Sequence, residues 1–256
     1  MMPKYPVYIP SKGRAESCLT ADFLLDDGVP FRLVVEPQDQ RAYAERYGQD
    51  KILVLPWDNP GSVIPARNWI KEHSTRSGHE RHWQLDDNIK GIVRRKDEKL
   101  RRVSSAFALA QTELFVDRYS NVAIAGLAHR NFANFRPKPF YVNHQPYCCV
   151  LVLNDIPFKW RGPYFEDADF CLQVLSAKWC TILMNVYLIE KSASMAMRGG
   201  NTDTVYRGDG RLNMVRGLQR RWPGLVKIKR RWGRPQQNLA SIWNKFDHPL
   251  IRKEKS

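Results

Sequence analysis

The chain has 256 residues, long enough for one large domain or two small lobes around a substantial core. Its composition, 43% hydrophobic and 26% charged, excludes fibrous and disordered classes, and no apolar run reaches the roughly 18 residues of a membrane helix. The formal net charge is +15, and 14 Lys/Arg against three Asp/Glu between Arg207 and Ser256 place +11 of it in the last fifth of the chain.

Val7-Tyr8-Ile9 reads as a strand stopped by Pro10, and Ser11-Lys12-Gly13-Arg14 follows as a cationic loop. A helix is expected over 16–25, ended by Asp26-Asp27-Gly28, and a strand over 31–35, ended by Glu36-Pro37. Tyr43 and Tyr47, spaced i, i+4, predict a helix over 38–47 with Gly48 as its C-cap. A strand over 51–55, a helix over 65–73 and a strand over 82–85 complete the first half. Strands alternating with helices predict an α/β unit with a mostly parallel sheet.

Ligands of such sheets bind beyond the carboxyl ends of the strands. That gathers Pro10 to Arg14, Glu36 and Asp86-Asp87-Asn88 on one rim. Alone, the acidic pair is either a solvated turn or a seat for a hard divalent cation that bridges to phosphate. Sharing a rim with cationic side chains favours a nucleotide-plus-metal site.

Residues 89–103 carry Lys90, Arg94, Arg95, Lys96, Lys99, Arg101 and Arg102 among Ile89, Ile92, Val93 and Leu100. This is read as a hairpin or edge segment suited to touch a polyanion. A helix over 104–119 capped by Ser104 or Ser105, a buried strand over 122–126, a pocket-shaping loop over 132–146 and an apolar strand over 148–153 follow. Trp160 to Phe165 lead into Glu166-Asp167-Ala168-Asp169, which open a helix running through Leu175. Acids there either answer the helix dipole or include a general base beside aromatic walls. The last β-rich stretch is 179–189. Gly199-Gly200-Asn201 reads as a flexible loop or as a close backbone approach to a ligand. Lys227, Lys229, Arg230, Arg231 and Arg234, with Trp232 between them, suit phosphate contact and base stacking. Basic clustering of this kind is either solubility charge or the footprint of a polyanion, and its concentration favours nucleic acid.

The N-terminus, Met1 to Pro10, lacks the apolar core of a signal peptide, so a soluble, intracellular protein is expected. Cys18, Cys148, Cys149, Cys171 and Cys180 show no C-x-x-C spacing; buried reduced thiols are expected rather than zinc or disulfides.

In order and spacing these motifs resemble glycosyltransferases of the GT-A fold, and more closely the phage TET-associated DNA glycosyltransferase family. The likeness rests on Ile9-Pro10-Ser11-Lys12-Gly13-Arg14, Val35-Glu36-Pro37, Ala66-Arg67-Asn68, Asp86-Asp87-Asn88, Glu166-Asp167-Ala168-Asp169 and Gly199-Gly200-Asn201, and spans about residues 5–206. It implies a Rossmann-like α/β fold, a central mostly parallel sheet flanked by helices, with a basic C-terminal extension. The transferase domain would cover 1–206, with the nucleotide-sugar half at about 1–103 and the acceptor half at 104–206; residues 207–256 would contact DNA.

The resemblance further implies nucleotide-sugar binding by Pro10, Lys12, Arg14, Glu36, Arg67, Asn68, Asp86, Gly199, Gly200 and Asn201. Mn²⁺ or Mg²⁺ would sit on Asp87 and Asn88. Asn88 stands where many GT-A enzymes have a second metal-binding Asp, which leaves the division between these two open. Asp167 is the expected catalytic base, with Glu166, Asp169, Trp160 and Tyr164 orienting the acceptor and Tyr141 and Phe165 as further aromatic walls. Lys227, Lys229, Arg230, Arg231 and Arg234 would hold DNA. The implied reaction moves a sugar from a UDP-sugar, UDP-glucose favoured, to the hydroxyl of a 5-hydroxymethylpyrimidine in phage DNA, 5-hydroxymethylcytosine favoured, with inversion. The expected compartment is the cytoplasm of the infected bacterial host. For the terminal His ligand of many GT-A enzymes, His129, His144 and His248 are candidates, each read as structural or solvent-facing. The alternatives are a GT-A enzyme with a glycan or protein acceptor, and a metal-dependent nucleic-acid-binding or nuclease-like protein.

Overall fold

Ten strands form one sheet in the computed structural model of the chain, which describes residues 1–58, 61–96, 99–131, 138–162, 165–192, 210–231, 234–238 and 242–254. Strands β1 (Val7–Pro10), β2 (Arg32–Val35), β3 (Ile52–Val54) and β4 (Arg81–Leu85) alternate with helices α1 (Leu19–Asp26), α2 (Gln40–Tyr47) and α3 (Ile64–Arg76). A hairpin of β5 (Ile89–Lys96) and β6 (Lys99–Val103) follows, then α4 (Ser105–Val116), β7 (Val122–His129), β8 (Phe140–Val142) and β9 (Cys149–Leu153). Helix α5 (Glu166–Ser176) leads to β10 (Cys180–Lys191), and α6 (Gly210–Arg221), β11 (Lys227–Arg231) and β12 (Arg234–Asn238) come last.

The strand order is β3-β2-β1-β4-β9-β7-β10-β5-β6, with β8 also paired to β10. From the pairings, β1 to β4, β6, β7 and β10 run in one direction, and β5, β8 and β9 run against them. The carboxyl ends of β1, β2, β4 and β10 therefore share one rim.

The short central strands are buried on both faces, as strands between two helical layers must be. Val7, Ile9, Leu33, Val35, Trp83 and Leu85 face one core together with Leu24 and Leu109 of α1 and α4. The alternate residues face the other side: Tyr8 and Val34 meet Ile70 of α3, and Val150 and Val152 meet Phe170 and Leu172 of α5. Period-two alternation in β1, β2 and β9 thus builds a three-layer α/β molecule, the expected class. Leu218, Val226, Ile242 and Trp243 join the α5 core. All five cysteines are free and buried. No described helix is long and apolar enough to cross a membrane.

Several local expectations change. The helix over 16–25 divides into a 3₁₀ turn, Ala15–Ser17, and α1, with non-helical backbone at Cys18 between them. Ser104 stands at the N-cap of α4 but its side chain makes no capping bond; Asp27 accepts the Ser105 N–H at 2.7 Å instead. The loop over 132–146 contains a strand, β8, because Phe140 to Val142 pair with Met184 to Ile182 of β10. Residues 132–137 of that loop lie outside the described residues. Gly48 ends α2 at φ 92°, a left-handed value that favours glycine at this cap.

Candidate active site

The rim is assembled from four strand ends and the head of α5. After β1, the loop turns at Gly13, whose φ of 62° suits a residue without Cβ. It directs Lys12 to Glu36 at 2.9 Å and Arg14 to Asp87 at 2.6 Å. Ser11 donates to the second Asp87 oxygen at 2.8 Å and bonds the Tyr43 hydroxyl at 2.6 Å. Gln38 donates to Glu36 at 2.6 Å, so this buried acid beyond β2 is held from two sides.

Beyond β4, Thr20 ties the acidic turn together. Its hydroxyl donates to the Asp86 carbonyl at 2.5 Å and accepts the Ile89 N–H at 3.0 Å. Asp86 meets Arg67 at 2.8 Å through one oxygen and Lys191 at 2.6 Å through the other. Burial opposes charge on Asp86, but Lys191 and Arg67 together hold its carboxyl below the ordinary range. Asp87 is the reverse: burial outweighs Arg14 and raises it. Lys191 is raised as well, because Asp86 outweighs a burial cost of the opposite sign.

Arg67 joins this turn to the second acidic motif. It is 4% exposed on α3 and held from β4, where Gln84 donates to its carbonyl at 3.0 Å and accepts from its guanidinium at 3.3 Å. Its Nε lies 3.8 Å from Glu166 at the head of α5. Burial, and then the charge of Asp167, push Glu166 up to about 7, and burial also raises Asp167. The Asp167 carboxylate accepts the Ala168 N–H at 2.8 Å. Phe165, just ahead of them, sits at φ 54°, ψ 36°, a strained backbone for a bulky side chain. Two carboxyls that share a partly buried site cannot both ionise freely, which tunes the pair toward neutrality.

Other expected residues are placed elsewhere. Both amide atoms of Asn68 bond the Trp160 backbone, at 2.8 and 2.9 Å. Trp160 is buried and stacks on Phe170 with ring centroids 4.1 Å apart, so its indole belongs to the core. Asp169 is fully buried and accepts from Arg161, Gln173 and Trp222, each at 2.8 Å, while Arg221 lies 3.3 Å away. Pro10 ends β1, buried. Tyr141 lies in β8, with its ring 5.0 Å from that of His144. Lys227 and Lys229 are exposed in β11, and Arg230, Arg231 and Arg234 fall in the β11–β12 hairpin. Tyr164, Gly199, Gly200 and Asn201 lie outside the described residues. His248 donates to the Leu175 carbonyl at 2.7 Å and His144 to that of Val142 at 2.9 Å; the His129 ring accepts the Asn131 N–H at 3.2 Å.

The donor set does not fit a divalent ion as it stands. All four oxygens of Asp86 and Asp87 face a cation or a hydroxyl, and the two carboxylates serve different partners. Asn88 adds a buried, unpartnered Oδ1. No group of three or more His, Cys, Asp or Glu side chains is arranged to hold a metal among the described residues.

Sequence reasoning places Ser11 on the rim without giving it a role, and it misses Lys191, Thr20 and Tyr43. The rim rule reaches Lys191 once the last strand is carried two residues past Ile189. Thr20 and Tyr43 carry no such signal, since hydroxyls are common and only the fold brings these two to the acidic turn.

A profile of the TET-associated glycosyltransferases matches residues 5–200. Among solved structures, the mannose-1-phosphate geranyltransferase from Thermus thermophilus aligns at 14% identity and a TM-score of 0.33, over 96% of this chain and 68% of that one. A likeness at that level carries no argument. No curated protein matches.

Proposed function

The chain belongs to the TET-associated glycosyltransferase family, and we propose that it moves a sugar from a UDP-sugar to the hydroxymethyl oxygen of a 5-hydroxymethylpyrimidine in phage DNA. The observation that carries the reading is Arg67, one buried guanidinium between Asp86 of the rim turn and Glu166 of α5. It holds a nucleotide-facing motif and a proton-accepting motif side by side, as group transfer between two substrates requires. UDP-glucose and 5-hydroxymethylcytosine are the favoured pair.

In this reading the cationic loop of Lys12 and Arg14, with Glu36, receives the uridine. The hydroxymethyl oxygen attacks the anomeric carbon as the bond to the diphosphate breaks, and UDP departs with the bonding electrons. Asp167 takes the hydroxyl proton, and burial keeps that carboxylate more basic than an exposed one. Developing charge on the leaving diphosphate meets Lys191 and Arg67, already in place and needing no reorganisation. Attack opposite the leaving group inverts the anomeric centre. A paired base inside a duplex is out of reach, so the target is flipped out of the stack. The basic C-terminal region, with Lys227 and Lys229, holds the backbone.

The test is nucleoside mass spectrometry after incubation with 5-hydroxymethylcytosine or 5-hydroxymethyluracil DNA and a panel of UDP-sugars. One added hexose on the modified nucleoside is expected, and Asp167→Asn is expected to slow transfer by about 10²–10⁴-fold. A protein that UDP stabilises against heat but that glycosylates neither DNA would redirect the reading to a glycan or protein acceptor. Absence of any UDP effect would remove the donor assignment.

A further inference from the structure

The β5–β6 hairpin starts immediately after Asn88 and takes no part in the chemistry above. Its register sets Arg94 directly opposite Arg101 and Lys96 directly opposite Lys99. Alternate residues of a strand share a face, and so do residues directly opposite, so all four cations lie on one face. Neighbours are about 7 Å apart along a strand and about 5 Å apart across the pair. All four are exposed. No carboxylate among the described residues forms an ion pair with any of them. β6 is also the edge of the sheet.

Like charges directly opposite one another destabilise a hairpin. Guarding the edge against strand addition needs charge, but not two repelling pairs in register; alternating Lys and Glu would guard it without repulsion. A repulsive arrangement kept at the surface suits an anionic partner that relieves it. Guanidinium forks beside ammonium groups at this spacing match the phosphates of a nucleic-acid strand.

We propose that this face of the β5–β6 hairpin grips the phosphate backbone of the acceptor DNA, as a contact separate from the C-terminal region. The inference rests on the DNA-acceptor reading and gives the duplex a place. Ile89, the first residue of β5, lies opposite Lys191, so DNA held here is held by an element rooted in the rim.

The experiment is fluorescence anisotropy of a short labelled duplex with the full chain across a salt series, comparing native protein, Arg94→Gln/Arg101→Gln and Lys96→Gln/Lys99→Gln. Each double variant is expected to bind more weakly and to lower the slope of log affinity against log salt by about 2, the two phosphate contacts removed. Its melting temperature is expected to equal or exceed that of the native chain, because repulsion is relieved, and stabilisation by UDP is expected to be unchanged. Native binding with an unchanged slope in both variants would overturn the hairpin contact and leave the DNA acceptor standing. A native chain that does not bind duplex would overturn both, while UDP stabilisation reports the donor site separately. Lower melting temperatures with lost UDP stabilisation would mark a structural role and overturn the proposal.

Discussion

Arg67 governs how the two acidic motifs titrate. It lies near Asp86, Glu166 and Asp167 at once; after Lys191 it helps to keep Asp86 ionised, and it does not outweigh burial at Glu166. Activity is expected to rise with pH above the ordinary carboxylate range, as Asp167, raised by burial, loses its proton. Stability runs the other way with pH. The folded chain holds the Glu166 proton more tightly than the unfolded chain, so its contribution is full below about 4.5 and is lost as pH rises through about 7. Glu166→Gln is therefore expected to stabilise the protein above neutrality by about 1–3 kcal/mol and to leave it unchanged in mild acid, as measured by urea unfolding. An equal effect at both pH values would refute this linkage.

Lys191 is the second residue with a sharp consequence. Its ammonium takes one Asp86 oxygen as Arg67 takes the other, which leaves neither oxygen of that carboxylate for an ion. UDP is expected to raise the melting temperature equally in EDTA and in Mn²⁺. In Lys191→Ala, one Asp86 oxygen is released, and the UDP effect is expected to become Mn²⁺-dependent. A native protein whose UDP stabilisation requires Mn²⁺ would show that the ion displaces Lys191.

At the scale of elements, α5 does two jobs within its first turn. Glu166 and Asp167 face the rim, whereas Asp169 turns inward and binds Trp222 and Arg221 from the end of α6. A carboxylate buried without water needs several donors, and Asp169 has them from two different parts of the chain. Asp169→Ala leaves those donors unpaired. It is expected to cost about 3–5 kcal/mol in urea unfolding and to expose the segment from α6 to β11 to protease, with cleavage faster than in the native chain. Unaltered cleavage would mean that α6 is held by its apolar contacts alone. Asn68 acts in a similar way: its amide clamps Trp160 across 92 residues of sequence and so fixes the approach to α5.

Across the whole molecule, charge and topology act together. The excess of +15 is divided between the β5–β6 edge and the C-terminal region, while Glu36, Asp86, Asp87, Glu166 and Asp167 lie at the rim. Strand alternation was readable from β1 to β4 because each strand is a local apolar run between turn residues. The second half of the sheet was less legible. β8 has three residues and forms only because β10 offers it a partner, and residues 89–103 read as a hairpin or an edge segment, with no register legible. The rim itself followed from chain direction, since parallel strands end on the same side. Pairings across the rim did not: Lys191 meets Asp86 over a separation of 105 residues, and Arg14 meets Asp87 over 73. The sequence by itself determined the order of elements from β1 to β4, the two acidic motifs and the basic end of the chain, because these depend on local periodicity and composition. Only the tertiary structure decided which cation neutralises which carboxylate, that Asp169 and Trp160 belong to the interior, and that Arg94 and Lys96 oppose like charges. Those facts depend on which distant strands become neighbours, and no local propensity encodes that.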